Sequence, residues 1–217
     1  MREGSIKGME RNYFQKIEKI GIIPVVCPAD QTELKVLLDA IEGTDVKVIE
    51  ITLRNEFSTT AIKYIKDNHP ELTVGAGTVN TEDKLEDAIN CGADFFVAPG
   101  IAEFAHKYVK ERGITFIHGV ATPSEILHLF NLGYRVMKLF PAEISGGTKA
   151  LTLYASAFSE VRFIPTGGIT VENLSRYLEC KNVLGCGGSF MVPKALLTAG
   201  DSAGIRELIK GLCRKGV

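Results

Sequence analysis

A lysine inside an apolar run is the first residue of this chain that calls for a chemical explanation. Val136, Met137, Leu139 and Phe140 surround Lys138, with Gly133 before the run and Pro141 stopping it. That pattern reads as a buried parallel strand. A buried ammonium is costly, and lysines so placed serve as amine nucleophiles. Lys138 could equally send its head to the strand end or pair with a carboxylate for structural reasons alone. Glu50 offers such a carboxylate. It lies in a second apolar run over residues 46–51, where Val46, Val48 and Glu50 share one face and Ile49 and Ile51 the other. Thr52 and Arg54 follow it. An amine that attacks a carbonyl, beside a carboxylate that moves protons, is the minimum equipment for Schiff-base chemistry. Glu50 as a mere salt-bridge partner of Lys138 is the competing reading.

Two glycine pairs suggest a handle for an anionic substrate. Gly167-Gly168 follows Thr166, and Gly187-Gly188 precedes Ser189; each pair stands between a strand-like and a helix-like segment. Glycine lets a phosphate approach backbone N–H groups at a helix start, although a tight turn also calls for glycine.

The elements that must position these residues follow a regular alternation. Helical periodicity covers residues 12–20, 32–42, 58–68, 81–91, 101–112, 123–131, 147–158, 171–179 and 202–214. Between them, strands are predicted over 22–26, 46–51, 72–76, 94–98, 114–117, the lysine run, 161–165 and 182–185. The Thr122-Pro123 pair marks a helix start. Eight such units predict an α/β fold, a closed (β/α)8 TIM barrel with a short N-terminal helix, rather than an open doubly wound sheet. In that barrel the C-terminal strand ends form the site. They carry Glu50, Thr52, Arg54, Thr78, Pro99, Lys138, Phe140, Thr166, Gly167, Gly168, Gly188 and Ser189.

Bulk composition narrows the classes. With 217 residues, 45% hydrophobic, 24% charged and a net charge of -1, the chain suits one domain over residues 10–217 after a polar leader at 1–9. The near-neutral charge and lack of a basic stripe argue against nucleic acid as a partner. No apolar run approaches the ~20 residues of a membrane span, so a soluble, cytoplasmic protein is predicted. Five cysteines without CxxC spacing predict reduced thiols. His69, His106, His118 and His128 are scattered, and no metal is predicted.

Six segments resemble the 2-dehydro-3-deoxy-phosphogluconate aldolase / 4-hydroxy-2-oxoglutarate aldolase family, the KDPG/KHG aldolases. They are Ile49-Glu-Ile-Thr-Leu-Arg54, Val74-Gly-Ala-Gly-Thr-Val79, Gly119-Val-Ala-Thr-Pro-Ser-Glu125, Lys138-Leu-Phe-Pro-Ala-Glu143, Phe163-Ile-Pro-Thr-Gly-Gly-Ile169 and Gly187-Gly-Ser189. The resemblance implies that Lys138 forms the Schiff base and Glu50 is the acid/base. It places Arg54 and Thr78, with Pro99 close by, at the pyruvate carboxylate, and Phe140 beside the lysine. Thr166, Gly167, Gly168, Gly188 and Ser189 would line the phosphate end. It further implies a phosphorylated keto acid substrate, no cofactor and a homotrimer.

Cys27 stands where many relatives of that family have arginine, and His118 where many have proline. Both are expected near the barrel mouth, where they bear on the choice among phosphogluconate, phosphogalactonate and 4-hydroxy-2-oxoglutarate substrates. A phosphosugar isomerase or epimerase would share the glycine loops without needing Lys138. A non-catalytic phosphate binder would leave Glu50, Lys138 and Arg54 without a purpose.

Overall fold

Helix and strand alternate along the chain, as the switch between helical and strand hydrophobic periods demands. The computed structural model describes residues 13–213. The expected leader at 1–9 lies outside the described residues, as do position 12 of the first expected helix and position 214 of the last. A helix over residues 13–20 (α1) leads into β1 (Ile22–Val26), α2 (Gln31–Ile41), β2 (Val48–Thr52), α3 (Phe57–Asn68) and β3 (Thr73–Gly77). Next come α4 (Glu82–Asn90), β4 (Phe95–Val97), α5 (Ala105–Arg112), β5 (Phe116–Ile117), β6 (Gly119–Val120) and α6 (Pro123–Asn131). Then follow β7 (Val136–Leu139), α7 (Gly147–Ala157), β8 (Arg162–Pro165), α8 (Leu174–Leu178) and β9 (Cys186–Gly188). A 3₁₀ turn at Ser189–Met191, α9 (Lys194–Thr198) and α10 (Ser202–Leu212) complete the described chain. Thr122 and Glu125 form a reciprocal capping box ahead of Pro123, fixing the start of α6 where the sequence predicts it.

Every strand pair described is parallel. One sheet has six strands in the order β5-β4-β3-β2-β1-β9, and the other has three in the order β6-β7-β8. The result is a curled parallel sheet flanked by helices. The fifth strand, expected over 114–117, is shortened to Phe116–Ile117, and a further short strand, Gly119–Val120, follows it after His118. Phe116 and Ile117 pair with β4, whereas Gly119 and Val120 pair with β7. At the break the His118 carbonyl accepts from Lys138 N at 2.8 Å, and Gly119 N turns to the Gly100 carbonyl at 3.1 Å.

Other boundaries also depart from expectation. The eighth strand lies at Cys186–Gly188 rather than 182–185, because Gly187 and Gly188 are paired with Ile23 and Pro24 of β1. Glycine fits there because a Cβ on Gly187 would lie 2.7 Å from Thr166 Oγ1. The helix expected over 171–179 is reduced to Leu174–Leu178. Ahead of it, the Asn173 side chain accepts from Thr170 N at 2.8 Å and donates to the Gly168 carbonyl at 3.0 Å, closing a loop instead of a helical turn. The α9 helix was not anticipated.

The sheet separates two apolar layers by strand parity. Ile49, Ile51, Val74, Phe96, Met137 and Leu139 pack outward under the helices. Ile23, Val48, Phe95, Val97, Ile117, Ile164 and Leu184 form an inner cluster with Tyr13 and Ile17 of α1. Val46, expected on the inner face, precedes β2 and joins the outer layer. Tyr13 stacks on Phe95 with ring centroids 5.5 Å apart, so α1 covers the inner cluster at one end.

Candidate active site

The inner face becomes polar as β2 and β7 approach their C-terminal ends. Glu50 and Lys138 share the parity of the inward Val48 and Val136. Both are buried, at 4% and 7% exposure, and Lys138 Nζ stands 3.5 Å from Glu50 Oε1. Glu50 Oε1 accepts no hydrogen bond among the described residues. Its room comes from the neighbouring strand, where a Cβ on Gly77 would collide with the Glu50 carboxylate. Sequence reading missed Gly77 as a site residue; its only signal is its inward parity opposite Thr52.

A cavity of about 220 Å³ opens at these strand ends. Arg54, Phe140, Thr166, Gly167, Gly168, Gly188 and Ser189 line it, together with Cys27 and Thr52. Arg54 Nε donates to Thr78 Oγ1 at 3.2 Å. Thr78 holds a left-handed φ of 61°, which strains a β-branched residue by roughly 1–3 kcal/mol. Phe140 lies over Lys138, with Nζ 5.4 Å from the ring centroid. Glu50, Thr78, Pro99 and Lys138 are not among the residues lining this cavity; the Pro99 carbonyl presses on Gly119, where a Cβ would collide with it.

Two hydroxyls of residues that line this cavity lack partners. Thr52 Oγ1 and Thr166 Oγ1 are buried and form no hydrogen bond among the described residues. Such atoms usually have a ligand or water partner, since leaving them unpaired costs about 1–3 kcal/mol. Thr52, expected at the end of the second strand without a stated role, gains a candidate ligand-binding role on that ground.

The Gly167-Gly168 loop is held against the exit of the lysine strand. Both glycines have left-handed φ values, 94° and 79°. Ala142 N donates to the Thr166 carbonyl at 2.8 Å and Glu143 N to the Gly167 carbonyl at 3.1 Å. A Cβ on Gly168 would lie 2.6 Å from Glu143 Cβ. The Tyr177 hydroxyl donates to Glu143 Oε1 in a short hydrogen bond. Burial and then the Glu143 carboxylate push the Tyr177 phenol up, so it remains a proton donor. Neither Glu143 nor Tyr177 was singled out from the sequence as supporting this loop.

The two unusual positions behave differently. Cys27 lines the cavity, and its Sγ accepts from Asn55 Nδ2 at 3.3 Å. His118, expected at the mouth, is fully buried away from the cavity, packed on Phe116, Tyr134 and His106. Burial, then the nearby His106 and His128, push its imidazole down to about 3. Ala102 N donates to its Nδ1 at 3.2 Å, which fixes the neutral Nε2–H tautomer. A larger cavity of about 660 Å³, between α1, α5 and β5–β7, is mostly apolar and contains none of the expected site residues.

Known proteins carry the same combination of fold and sequence. The family model for KDPG and KHG aldolase matches residues 14–208. The KHG/KDPG aldolase of Escherichia coli is 40% identical over 189 residues, covering 87% of this chain and 89% of that protein. The 2-dehydro-3-deoxy-phosphogluconate aldolase of Pseudomonas aeruginosa is 37% identical over 187 residues, covering 86% and 85%. Among solved structures, KDPG aldolase from Legionella pneumophila, with pyruvate captured at low pH as a covalent carbinolamine intermediate, superposes with a TM-score of 0.87. It is 31% identical, over 91% of this chain and 96% of that one. The 2-keto-3-deoxy-6-phosphogluconate aldolase of Zymomonas mobilis gives 0.86 at 35% identity, over 94% and 96%. With the family model matching residues 14–208 and these relatives covering most of its length, the chain belongs to the KDPG and KHG aldolase family.

Proposed function

We propose that the chain is a class I aldolase that cleaves 2-dehydro-3-deoxy-6-phosphogluconate to pyruvate and D-glyceraldehyde 3-phosphate. The observation that carries this reading is the buried Lys138–Glu50 pair, 3.5 Å apart, with Lys138 beside Phe140, which lines a cavity shared with Arg54 and two glycine loops. Lys138, as the neutral amine, adds to the C2 ketone; the resulting carbinolamine loses water to form an iminium. Glu50 takes the proton of the C4 hydroxyl, and the C3–C4 electron pair moves into the iminium to give an enamine. C4 leaves as the aldehyde carbon of glyceraldehyde 3-phosphate. The enamine is reprotonated at C3, and one water hydrolyses the iminium to pyruvate and free Lys138, so the water released first is recovered.

Arg54 and Thr78, with Pro99 nearby, grip the substrate carboxylate, which fixes C2 against the amine. Phe140 packs beside the iminium. Thr166, Gly167, Gly168, Gly188 and Ser189 hold the phosphate through hydroxyls and backbone N–H groups. A closed eight-stranded barrel fits this site, with β5 and β6 as two halves of one strand separated by His118 alone. The Phe163↔Val183 and Thr166↔Gly187 bridges support closure at the other seam. A homotrimer in the cytoplasm is the matching assembly; exposed Ile144, in the turn before α7, and Leu153, on the α7 surface, supply apolar area for it.

The deciding experiment is borohydride reduction with pyruvate followed by mass spectrometry. One adduct on Lys138 is expected, and none in Lys138→Ala; full trapping in that variant would sink the assignment. The name of the Escherichia coli relative pairs two substrates, so 4-hydroxy-2-oxoglutarate is the second reading. Comparing kcat/KM for it, the phosphogluconate and the phosphogalactonate analogue separates the three. A strong preference for the unphosphorylated acid would remove the phosphate role of the glycine loops.

A further inference from the structure

Three of the four histidines, far apart in sequence, converge on the outer side of the sheet. His106 lies on α5 and His128 on α6, and Glu103 precedes α5 by two residues. We infer that Glu103, His106 and His128 form a binding site for a divalent first-row transition ion, with Zn²⁺ the best match to the ligand types.

The geometry supports this directly. One ligand atom from each of the three residues lies within 4.8 Å of the others. His106 Nε2 is 3.1 Å from Glu103 Oε2, and His128 Nε2 is 3.3 Å from Glu103 Oε1. Two ligands about 2.0 Å from a tetrahedral ion are about 3.3 Å apart, so each imidazole–carboxylate separation suits ligation, with both Glu103 oxygens facing an ion that the imidazoles reach within that 4.8 Å span. His106 Nδ1 sits 2.8 Å from the Tyr134 hydroxyl. Donation from Nδ1–H to that oxygen leaves the Nε2 lone pair facing the site, the outer-sphere arrangement of metal-bound histidines. That Nε2 is buried and faces the Glu103 carboxylate.

Ligand chemistry sets the class of ion. Two imidazoles and one carboxylate select zinc and its neighbours over magnesium or calcium, which take oxygen ligands. Glu103 and His128 are 69% and 48% exposed, so water completes the coordination. The ion would tie the chain before α5 to α6. It would stand apart from the cavity, and its role would be to brace that surface. The competing account is an ion pair in which Glu103 accepts from protonated imidazoles with no metal.

Isothermal titration of the full chain with ZnCl₂ at neutral pH tests this, after its thiols are blocked with N-ethylmaleimide. One site per chain is expected, with Tm rising as zinc is added. Glu103→Gln and His128→Gln, both at exposed positions, should each weaken binding by about tenfold or more. Pyruvate trapping by the metal-free variants should match that of the parent. Co²⁺ should bind with the same loss in the variants. No zinc binding by the parent chain, or equal binding by the variants, would overturn the site.

Discussion

Two Glu–Lys pairs in this molecule use the same chemistry and differ in how fully they are satisfied. Glu33 of α2 accepts from Lys194 Nζ of α9 at 2.5 and 2.6 Å, from Ala29 N at 2.7 Å and from Thr198 Oγ1 at 3.0 Å. Burial pushes its carboxyl up, but these hydrogen bonds outweigh that and hold it below the usual carboxylate range. Glu50 meets Lys138 at 3.5 Å, and its Oε1 accepts no hydrogen bond among the described residues. The pair at Glu33 spends its lone pairs on the protein and joins two helices. In the proposed reaction the pair at Glu50 keeps them for a substrate, as a site selected for activity at some expense in stability does. The two pairs differ in the saturation of the carboxylate and in the burial of the lysine, 61% exposed at Lys194 and 9% at Lys138.

Removing the lysine from each pair breaks the comparison most sharply. Lys138→Ala is expected to lower kcat by about 10⁴-fold or more, as loss of a covalent nucleophile does. Lys194→Met should leave kcat and borohydride trapping unchanged. Its effect is on stability, about 1 kcal/mol by urea unfolding, because the Lys194 side chain is 61% exposed. Equal losses of activity in the two variants would end the distinction.

The carboxylates give the next test. Glu50→Gln keeps the shape and removes the base, so kcat should fall by about 10²–10⁴-fold. Gly77→Ala acts on the same group through space. A methyl there must displace the Glu50 carboxylate; a shift of about 1 Å is enough for a loss of about 10²-fold. The fall should appear in kcat more than in KM, with an overpacking penalty of about 1–3 kcal/mol by urea unfolding. Unchanged kcat in Gly77→Ala would mean that the carboxylate position is not critical.

The sequence made Lys138 and Glu50 legible because inward parity and a charge in an apolar run are local signals. The parallel α/β alternation was legible for the same reason. What stayed hidden depends on contacts between distant segments. Gly77 matters through Glu50 on the next strand, and Glu143 through Tyr177 and Gly168. The glycines of β9 read as a turn because glycine carries no apolar signal, and only pairing with β1 makes them a strand. The histidines are spaced too irregularly to suggest a cluster until α5, α6 and the break at His118 bring them together.

The smallest effect concerns how the Glu33 pair depends on its charge. A carboxyl whose folded value lies below the unfolded 4.5 contributes stability that is fully present above that pH. The contribution is lost as pH falls through the lower folded value. Thr198→Val removes one of the hydrogen bonds that lower it and should cost about 0.5–1.5 kcal/mol at neutral pH. The same substitution should cost less at an acidic pH below the lowered folded value, where the protonated carboxyl no longer gains a charge-assisted bond from the hydroxyl. Urea unfolding of parent and variant at the two pH values measures the difference. A gap that stays constant would show that the hydroxyl contributes through packing, and that the Glu33 pair owes its tightness to the lysine and the Ala29 N–H alone.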